Sequence, residues 1–496
     1  MDALMLPLNW QRVRLGDIGK PCMCKRVMKH QTTRYGEIPF YKIGTFDNTA
    51  DAFISKKLFL EYKTKYSFPK KGDILISASG TIGRAVIYDG KPAYFQDSNI
   101  VWIDNDETLV KNDFLFYAYS NVKWDTEHTT ILRLYNDNFR NTLIPLPPLN
   151  EQIAIANILS DLDHYLYTLD ALILKKESVK KALSFELLSQ RKRLRGFNQA
   201  WQRVKLGDIG ITISGLVGKT KQDFINGNAK YITFLNVLNN VIIDTSILEN
   251  VKIYPNEKQN SFKKYDLFFN TSSETPKEVG MCAVLLDGID QVFLNSFCFG
   301  FRIFDKAVDG LFLSYLINSE IGRKAFENLA QGSTRYNLSK SGFNNVCLFL
   351  PPLDEQIAIA NILSALDNEI ISLKNKKRQF DNIKKALNHD LMSAKIRVLK
   401  KLTPQKSRTN PLEKETPKLL NSGGLWLIYY FSIEKTTLNP LKEILMYNTS
   451  QEFLSCFLRM INPFNRDLPH IVTMGRDEIL QQTPLKLLIL QTLKQD

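Results

Sequence analysis

Histidine is scarce in this sequence, five in 496 residues, and no H-E-x-x-H pair occurs. The helix-borne zinc site of many hydrolases is therefore excluded. No G-x-S-x-G nucleophile elbow is present either. The nearest approach to a nucleotide-binding loop, SGTIGR at 79–84, lacks the closing G-K-[ST]. The six cysteines, at 22, 24, 282, 298, 347 and 456, show no paired spacing. Cys22 and Cys24 form a lone C-x-C without the second pair that a tetrahedral metal site needs, so structural thiols in a reducing compartment are expected. No apolar run approaches the ~20 residues that span a bilayer; the longest is LWLIYYFSI at 425–433. A charged amino-terminal stretch leading into an apolar one is not seen, and the expectation is a cytoplasmic protein with no membrane partner.

What the chain has in excess is positive charge. Lysine and arginine number 65 against 51 acidic residues, a formal net charge of +14. Such a surplus points to a polyanionic partner, nucleic acid first.

It also has repeats. LPPLNEQIAIANILSDLD at 146–163 returns as LPPLDEQIAIANILSALD at 350–367, sixteen of eighteen positions identical at an offset of 204. WQRVRLGDIG at 10–19 returns as WQRVKLGDIG at 201–210, nine of ten identical at an offset of 191. The period is too long for a solenoid and indicates a duplicated domain. Each copy has a fixed entry strand, a variable body (20–145 and 211–349) and a fixed Pro-Pro-led exit.

After Pro147-Pro148, which stops whatever precedes it, Asn150 is placed to cap a helix with Glu151 in its first turn; the second copy uses Asp354 and Glu355. Apolar residues then recur at alternating steps of four and three: Ile155, Leu159, Leu162, Leu166, Leu169 and Ile173, continuing through Lys176 and Lys180 to Leu183 and Leu187. The second series runs from Ile359, Leu363 and Leu366 through Lys377 and Lys384 to Leu387 and Leu391. This spacing is a coiled-coil seam. Each helix spans about 40 residues, roughly 60 Å. The seam lysines are tolerable if the two helices pair antiparallel, with stems packed and ammonium groups reaching water.

The bodies, KKGDILISASGTIGRAVIYDG in one and KKYDLFFNTSSETPKEVGMCAVLLDG in the other, give a strand after a Lys-Lys-x-Asp turn, a polar loop and further strands. Loops rich in Arg, Tyr and Asn follow, TTILRLYNDN at 129–138 and GSTRYNLSKSG at 332–342, with helical patterns between. Such loops supply hydrogen bonds to phosphates and base edges. The candidates for DNA contact are Ser79, Thr81, Arg84, Asn99, Arg133 and Tyr135 in the first body. In the second they are Ser272, Ser273, Lys277, Asn295, Arg335 and Tyr336.

A variable body closed by LPPL-x-EQ and a long helix, entered by W…LGDIG, holding a GDILIS-x-SG loop and then repeated, resembles the specificity subunit of type I restriction–modification enzymes over about residues 8–397. The resemblance implies an α+β fold: two mixed α/β target-recognition domains joined by two long helices in an antiparallel coiled coil, with pseudo-two-fold symmetry. It divides the chain into a first recognition domain (1–149), a spacer helix (150–195), a second domain (196–353), a second helix (354–398) and a tail (399–496). It implies a non-catalytic subunit that reads a bipartite, asymmetric site in double-stranded DNA. Half-sites on one face lie about 34 Å per turn apart, which a ~60 Å helix pair bridges. Two methyltransferase subunits and translocating restriction subunits are the implied partners. No cofactor belongs to this chain; S-adenosylmethionine, ATP and Mg belong to the partners. The polar residues repeated beside the seam, Gln152, Asn157 and Ser160 with Gln356, Asn361 and Ser364, are assigned to methyltransferase docking. A silent gene copy is one alternative. The other, a fused modification enzyme, would need a Gly-rich cofactor loop and an N/D-P-P-Y/F motif, and Asn462-Pro463-Phe464 lacks the second proline. The tail departs from the family pattern: residues 374–408 carry twelve basic residues against two Asp, and no copy of it exists elsewhere in the chain.

Overall fold

The computed structural model describes residues 7–128, 132–289, 291–327, 329, 331–332, 335–396 and 398. The tail from 399 onward, assigned above as a separate segment, lies outside the described residues. The described residues form two compact units: one joins those through Thr168 to those between Lys377 and 398, and the other is Leu169–Lys376. Each unit therefore holds one body, the start of one long helix and the end of the other.

In the first unit the repeated entry segment Gln11–Arg14 pairs antiparallel with Leu143–Leu146, so the chain enters and leaves the body side by side. A four-stranded sheet follows in the order Gly19–Met23, Ile100–Asn105, Ile74–Ser77, Ala85–Ile87. A three-stranded sheet of Phe53–Ile54, Ile38–Tyr41 and Tyr94–Phe95 lies in the same unit. Ile74, Leu75 and Ile76 are all buried, as a central strand covered on both faces requires. Their side chains divide between two cores, Ile74 and Ile76 in one and Leu75 in the other.

The second unit repeats the plan with other side chains. Gln202–Lys205 pairs with Cys347–Leu350. The larger sheet runs Gly210–Ser214, Cys298–Ile303, Leu267–Asn270, Cys282–Val284. Its core is aromatic: Phe269 stacks on Phe299 at 5.3 Å, and Phe343 meets Phe269 edge-on at 4.8 Å.

The repeated motifs have local reasons. In LGDIG, Leu15 and Ile18, like Leu206 and Ile209, are buried. A Cβ on Gly19 would collide with the Asp104 carbonyl, and one on Gly210 with the Phe301 ring. In the Lys-Lys-x-Asp turn the carboxylate accepts the backbone N–H of the first lysine: Lys70 to Asp73 at 2.7 Å, Lys263 to Asp266 at 2.9 Å. The third residue is left-handed in both copies, Gly72 at φ 94° and Tyr265 at φ 73°.

The long helices are Leu149–Leu188 and Leu353–Met392, 40 residues each. Each begins one residue before its expected cap, so Asn150 and Asp354 lie in the first turn. Within the first unit the Tyr165 ring packs on Phe380 at 4.8 Å, and Asp163 pairs with Lys384. Within the second, Lys176 pairs with Glu369 at 2.7 Å and Lys180 with Asp367 at 2.5 Å. In both, rising numbers on one helix meet falling numbers on the other, so the segments run antiparallel. The side chains of Lys180 and Lys384 are 27% and 28% exposed, and each ammonium group also finds a carboxylate on the facing helix.

Candidate nucleic-acid interface

In the first body three sequence-distant segments converge beyond the end of the strand Ile74–Ser77. The Ala78 N–H donates to the Asn99 carbonyl at 2.8 Å, and the Leu134 N–H to the Ala78 carbonyl at 2.9 Å. Ser79 bridges to Arg133, and the Ser79 hydroxyl donates to Asn99 Oδ1 at 2.8 Å. The loop is cinched by Ser77, whose hydroxyl donates to the Thr81 carbonyl and accepts the Arg84 N–H at 2.9 Å. Gly80 and Gly83 supply the positive φ that so tight a return needs, 67° and 84°. Thr81, Arg84 and Tyr135 are exposed, while Asn99 and Arg133 are half-buried. Arg84 Nη1 donates to the Phe46 carbonyl at 3.0 Å, which orients its guanidinium.

The second body builds the same convergence. The Thr271 N–H donates to the Phe297 carbonyl at 2.9 Å and the Leu338 N–H to the Thr271 carbonyl at 2.8 Å. Ser272 pairs with Asn337 and Ser273 with Tyr336. Lys277 and Arg335 are exposed; Tyr336 and Asn295 are half-buried.

These contacts correct several sequence-derived assignments. Ser79, Ser272 and Ser273 are buried, 6%, 3% and 8% exposed. The Ser79 and Ser273 hydroxyls are spent internally, the latter on Glu278 at 2.7 Å, a bond that lowers the Glu278 pKa. These serines shape the loops and do not present their side chains outward. Asn295 does not hold the position in the second body that Asn99 holds in the first. Strand register places Ile100 opposite Ser77 and Cys298 opposite Asn270, so the residue matching Asn99 is Phe297. Asn295 Oδ1 instead accepts the Phe297 N–H at 2.9 Å and holds the turn. Arg133 and Arg335 are likewise not equivalent: Arg133 bridges to Ser79, and its counterpart facing Ser272 is Asn337. Phe297, 53% exposed with the Arg335 guanidinium 5.4 Å from its ring centre, was not anticipated. Only the register reveals it, because the loops differ in length.

The repeated helix starts are corrected as well. Gln152 and Gln356 are 0% and 1% exposed. Gln152 accepts the Lys111 N–H at 2.8 Å and donates to the Leu109 and Pro147 carbonyls at 3.0 and 2.9 Å. Gln356 accepts the Asp309 N–H at 2.9 Å and donates to the Ala307 and Pro351 carbonyls at 2.9 and 2.7 Å. Both lock the helix start to its own body and leave nothing for a partner. Glu151 and Glu355 are buried too; Glu151 accepts the Trp10 indole N–H at 3.1 Å, and Arg193 grips Glu355 with two bonds of 2.6 and 2.5 Å. Asn157 and Ser364 are half-buried, Ser160 and Asn361 exposed. On the same face, one turn earlier, Ile153 and Ile357 are 43% and 40% exposed. They recur in both copies off the seam, a signal that was legible in the sequence.

A third repeated constellation ties body to helices. The Tyr117 hydroxyl donates to Asp163 at 2.8 Å, and Lys384 pairs with the same carboxylate. The Tyr315 hydroxyl donates to Asp367 at 2.7 Å, and Lys180 pairs with it. Burial first, and then the neighbouring carboxylate, holds both phenols well above their ordinary pKa. Burial pushes the Cys24 thiol up to about 12. Among the described residues no group of His, Cys, Asp and Glu is placed to hold a metal ion. None of the described helices is long and apolar enough to cross a membrane.

The family model for the type I restriction modification DNA specificity domain matches residues 7–176 and again 198–380. The chain belongs to this family, with two copies of its domain, as type I restriction–modification specificity subunits have. A candidate type I restriction enzyme specificity subunit of Haemophilus influenzae is 63% identical over 148 residues, 30% of this chain and 38% of that protein. The type I restriction enzyme MjaVIII specificity subunit of Methanocaldococcus jannaschii is 28% identical over 418 residues, 80% of this chain and 95% of that protein. Among solved structures, the type I restriction–modification S subunit of M. genitalium superimposes with a TM-score of 0.53 at 17% identity, covering 78% of this chain and 98% of that one. That likeness is one of fold.

Proposed function

We propose that this specificity subunit is a non-catalytic reader of double-stranded DNA whose two bodies each recognise one half of a bipartite, asymmetric sequence. The observation that carries the reading is the pair of loop convergences. They share one backbone plan yet differ in chemistry, Ser79, Asn99 and Arg133 in one against Ser272, Phe297 and Asn337 in the other. The Gln152 and Gln356 locks at the helix starts, by contrast, repeat bond for bond. A scaffold kept constant beneath changing loops is what reading two unlike half-sites calls for. Thr81, Arg84, Asn99, Arg133 and Tyr135 in one body, and Lys277, Arg335 and Tyr336 in the other, are the side chains available to the duplex.

The repeated face of Ile153, Asn157 and Ser160, with Ile357, Asn361 and Ser364, is assigned to two methyltransferase subunits, one per copy. S-adenosylmethionine, ATP and Mg act in the methyltransferase and restriction/translocase partners, and the assembly works in the cytoplasm. Gel shift of the full chain with its methyltransferase partner tests the reading. Binding to duplex should fall with salt on a log–log slope steeper than about −4, given roughly 0.9 per phosphate contacted. A slope near zero contradicts it.

A further inference from the structure

We propose that Phe297 reads a thymine in the half-site of the second body by packing on its C5-methyl group. The inference rests on the DNA-reading function above and names the chemistry of one of its contacts.

Single exposed apolar side chains are common on protein surfaces and by themselves mean little. Phe297 differs in how it is held. Its carbonyl accepts both the N–H and the hydroxyl of Thr271, at 2.9 and 2.8 Å, and its own N–H donates to Asn295 Oδ1 at 2.9 Å. Three hydrogen bonds thus fix the backbone of a turn whose side chain is 53% exposed. Thr271, to which the turn is tied, immediately precedes the paired segments Ser272–Ser273 and Tyr336–Asn337, where the candidate DNA loops converge. The Arg335 guanidinium sits over the ring, 5.4 Å from its centre. A cation over one face leaves the rim and the opposite face for a ligand. A ring capped in this way is poorly suited to sliding between stacked bases, which would need both faces. Apolar contact with a thymine methyl in the major groove needs only one. The matching position in the first body carries Asn99, held by the Ser79 hydroxyl. An amide there pairs with base-edge donors and acceptors, whereas a phenyl ring at the same place distinguishes bases by their apolar surface. The two half-sites would therefore be read at this position by opposite chemistries.

The test begins by mapping the methylated sequence and assigning to the second body the half that survives exchange of residues 20–145. Duplexes carrying deoxyuridine for thymine at each position are then titrated with the complex of this chain and its methyltransferase. The wild type should bind about four-fold more weakly when one particular thymine of that half loses its methyl. Phe297→Ala should lose that sensitivity and no other, while Phe297→Leu, which keeps an apolar contact, should retain part of it. A second half-site without thymine on either strand, or an unchanged uracil profile in Phe297→Ala, overturns the assignment while leaving the DNA-reading function intact. Absence of sequence-specific binding by the wild-type complex overturns both.

Discussion

Lys180 Nζ lies 2.5 Å from Asp367 Oδ1, across 187 residues of sequence, and the same carboxylate accepts the Tyr315 hydroxyl at 2.7 Å. Lys384, Asp163 and Tyr117 make the counterpart in the first unit. A lysine at a seam position weakens packing unless it is answered, and here a carboxylate on the antiparallel neighbour answers it. Lys180 and Lys384 thereby specify direction and register, the best-attested role of partly buried polar groups in such seams. The Lys180 and Asp367 side chains are 27% and 21% exposed, so solvent screens part of the interaction. Asp367→Ala should lower stability by about 1–3 kcal/mol, and a double-mutant cycle with Lys180→Ala should show coupling of about 1 kcal/mol. Urea unfolding of the full chain measures both, and additivity of the two changes would contradict the pairing.

The phenols make an alkaline signature. The pKa values of Tyr117 and Tyr315 are raised in the folded chain because burial and the accepting carboxylates penalise the phenolate. A raised acid holds its proton more tightly when folded, so its stabilisation is complete below the ordinary value of about 10 and is lost as pH climbs above it. Thermal melting should fall above pH 10, and Tyr117→Phe with Tyr315→Phe should flatten that fall. An unchanged alkaline slope in the double variant contradicts the assignment.

The buried glutamines should prove structural. Gln152→Leu strands the Lys111 N–H and two carbonyls in the interior and should cost about 2–4 kcal/mol. Gln356→Leu should cost as much. Denaturant midpoints decide this; a loss below about 0.5 kcal/mol would return these residues to the partner surface.

Asn157→Arg and Asn361→Arg should leave folding unaltered. By native mass spectrometry each single change should leave one methyltransferase bound, and the double change none. Two partners on the double variant would show that this face does not dock them.

Much of this was legible in the sequence, and the reasons are local. Seam spacing exposed the long helices because burial on one helix face repeats every three or four residues, and Ile155, Leu159, Ile359 and Leu363 are indeed buried. The Lys-Lys-x-Asp turns were visible because the bond that makes them spans three residues. What stayed hidden depends on pairing across distance. Gln152 reads as a surface residue until Lys111 and Leu109, some forty positions earlier, fold against it. Asn99 and Asn295 align by eye after similar strands, yet register gives Phe297 the place that Asn99 holds in the first body, because the intervening loops differ in length. Lys180 and Lys384 read as solvent-seeking until the facing carboxylates are in view.

The most direct test of the central claim is the methylome of cells in which residues 20–145 are exchanged for the corresponding body of another family member. The account predicts a bipartite methylated sequence with one half replaced and the other retained. Both halves changing together would contradict it.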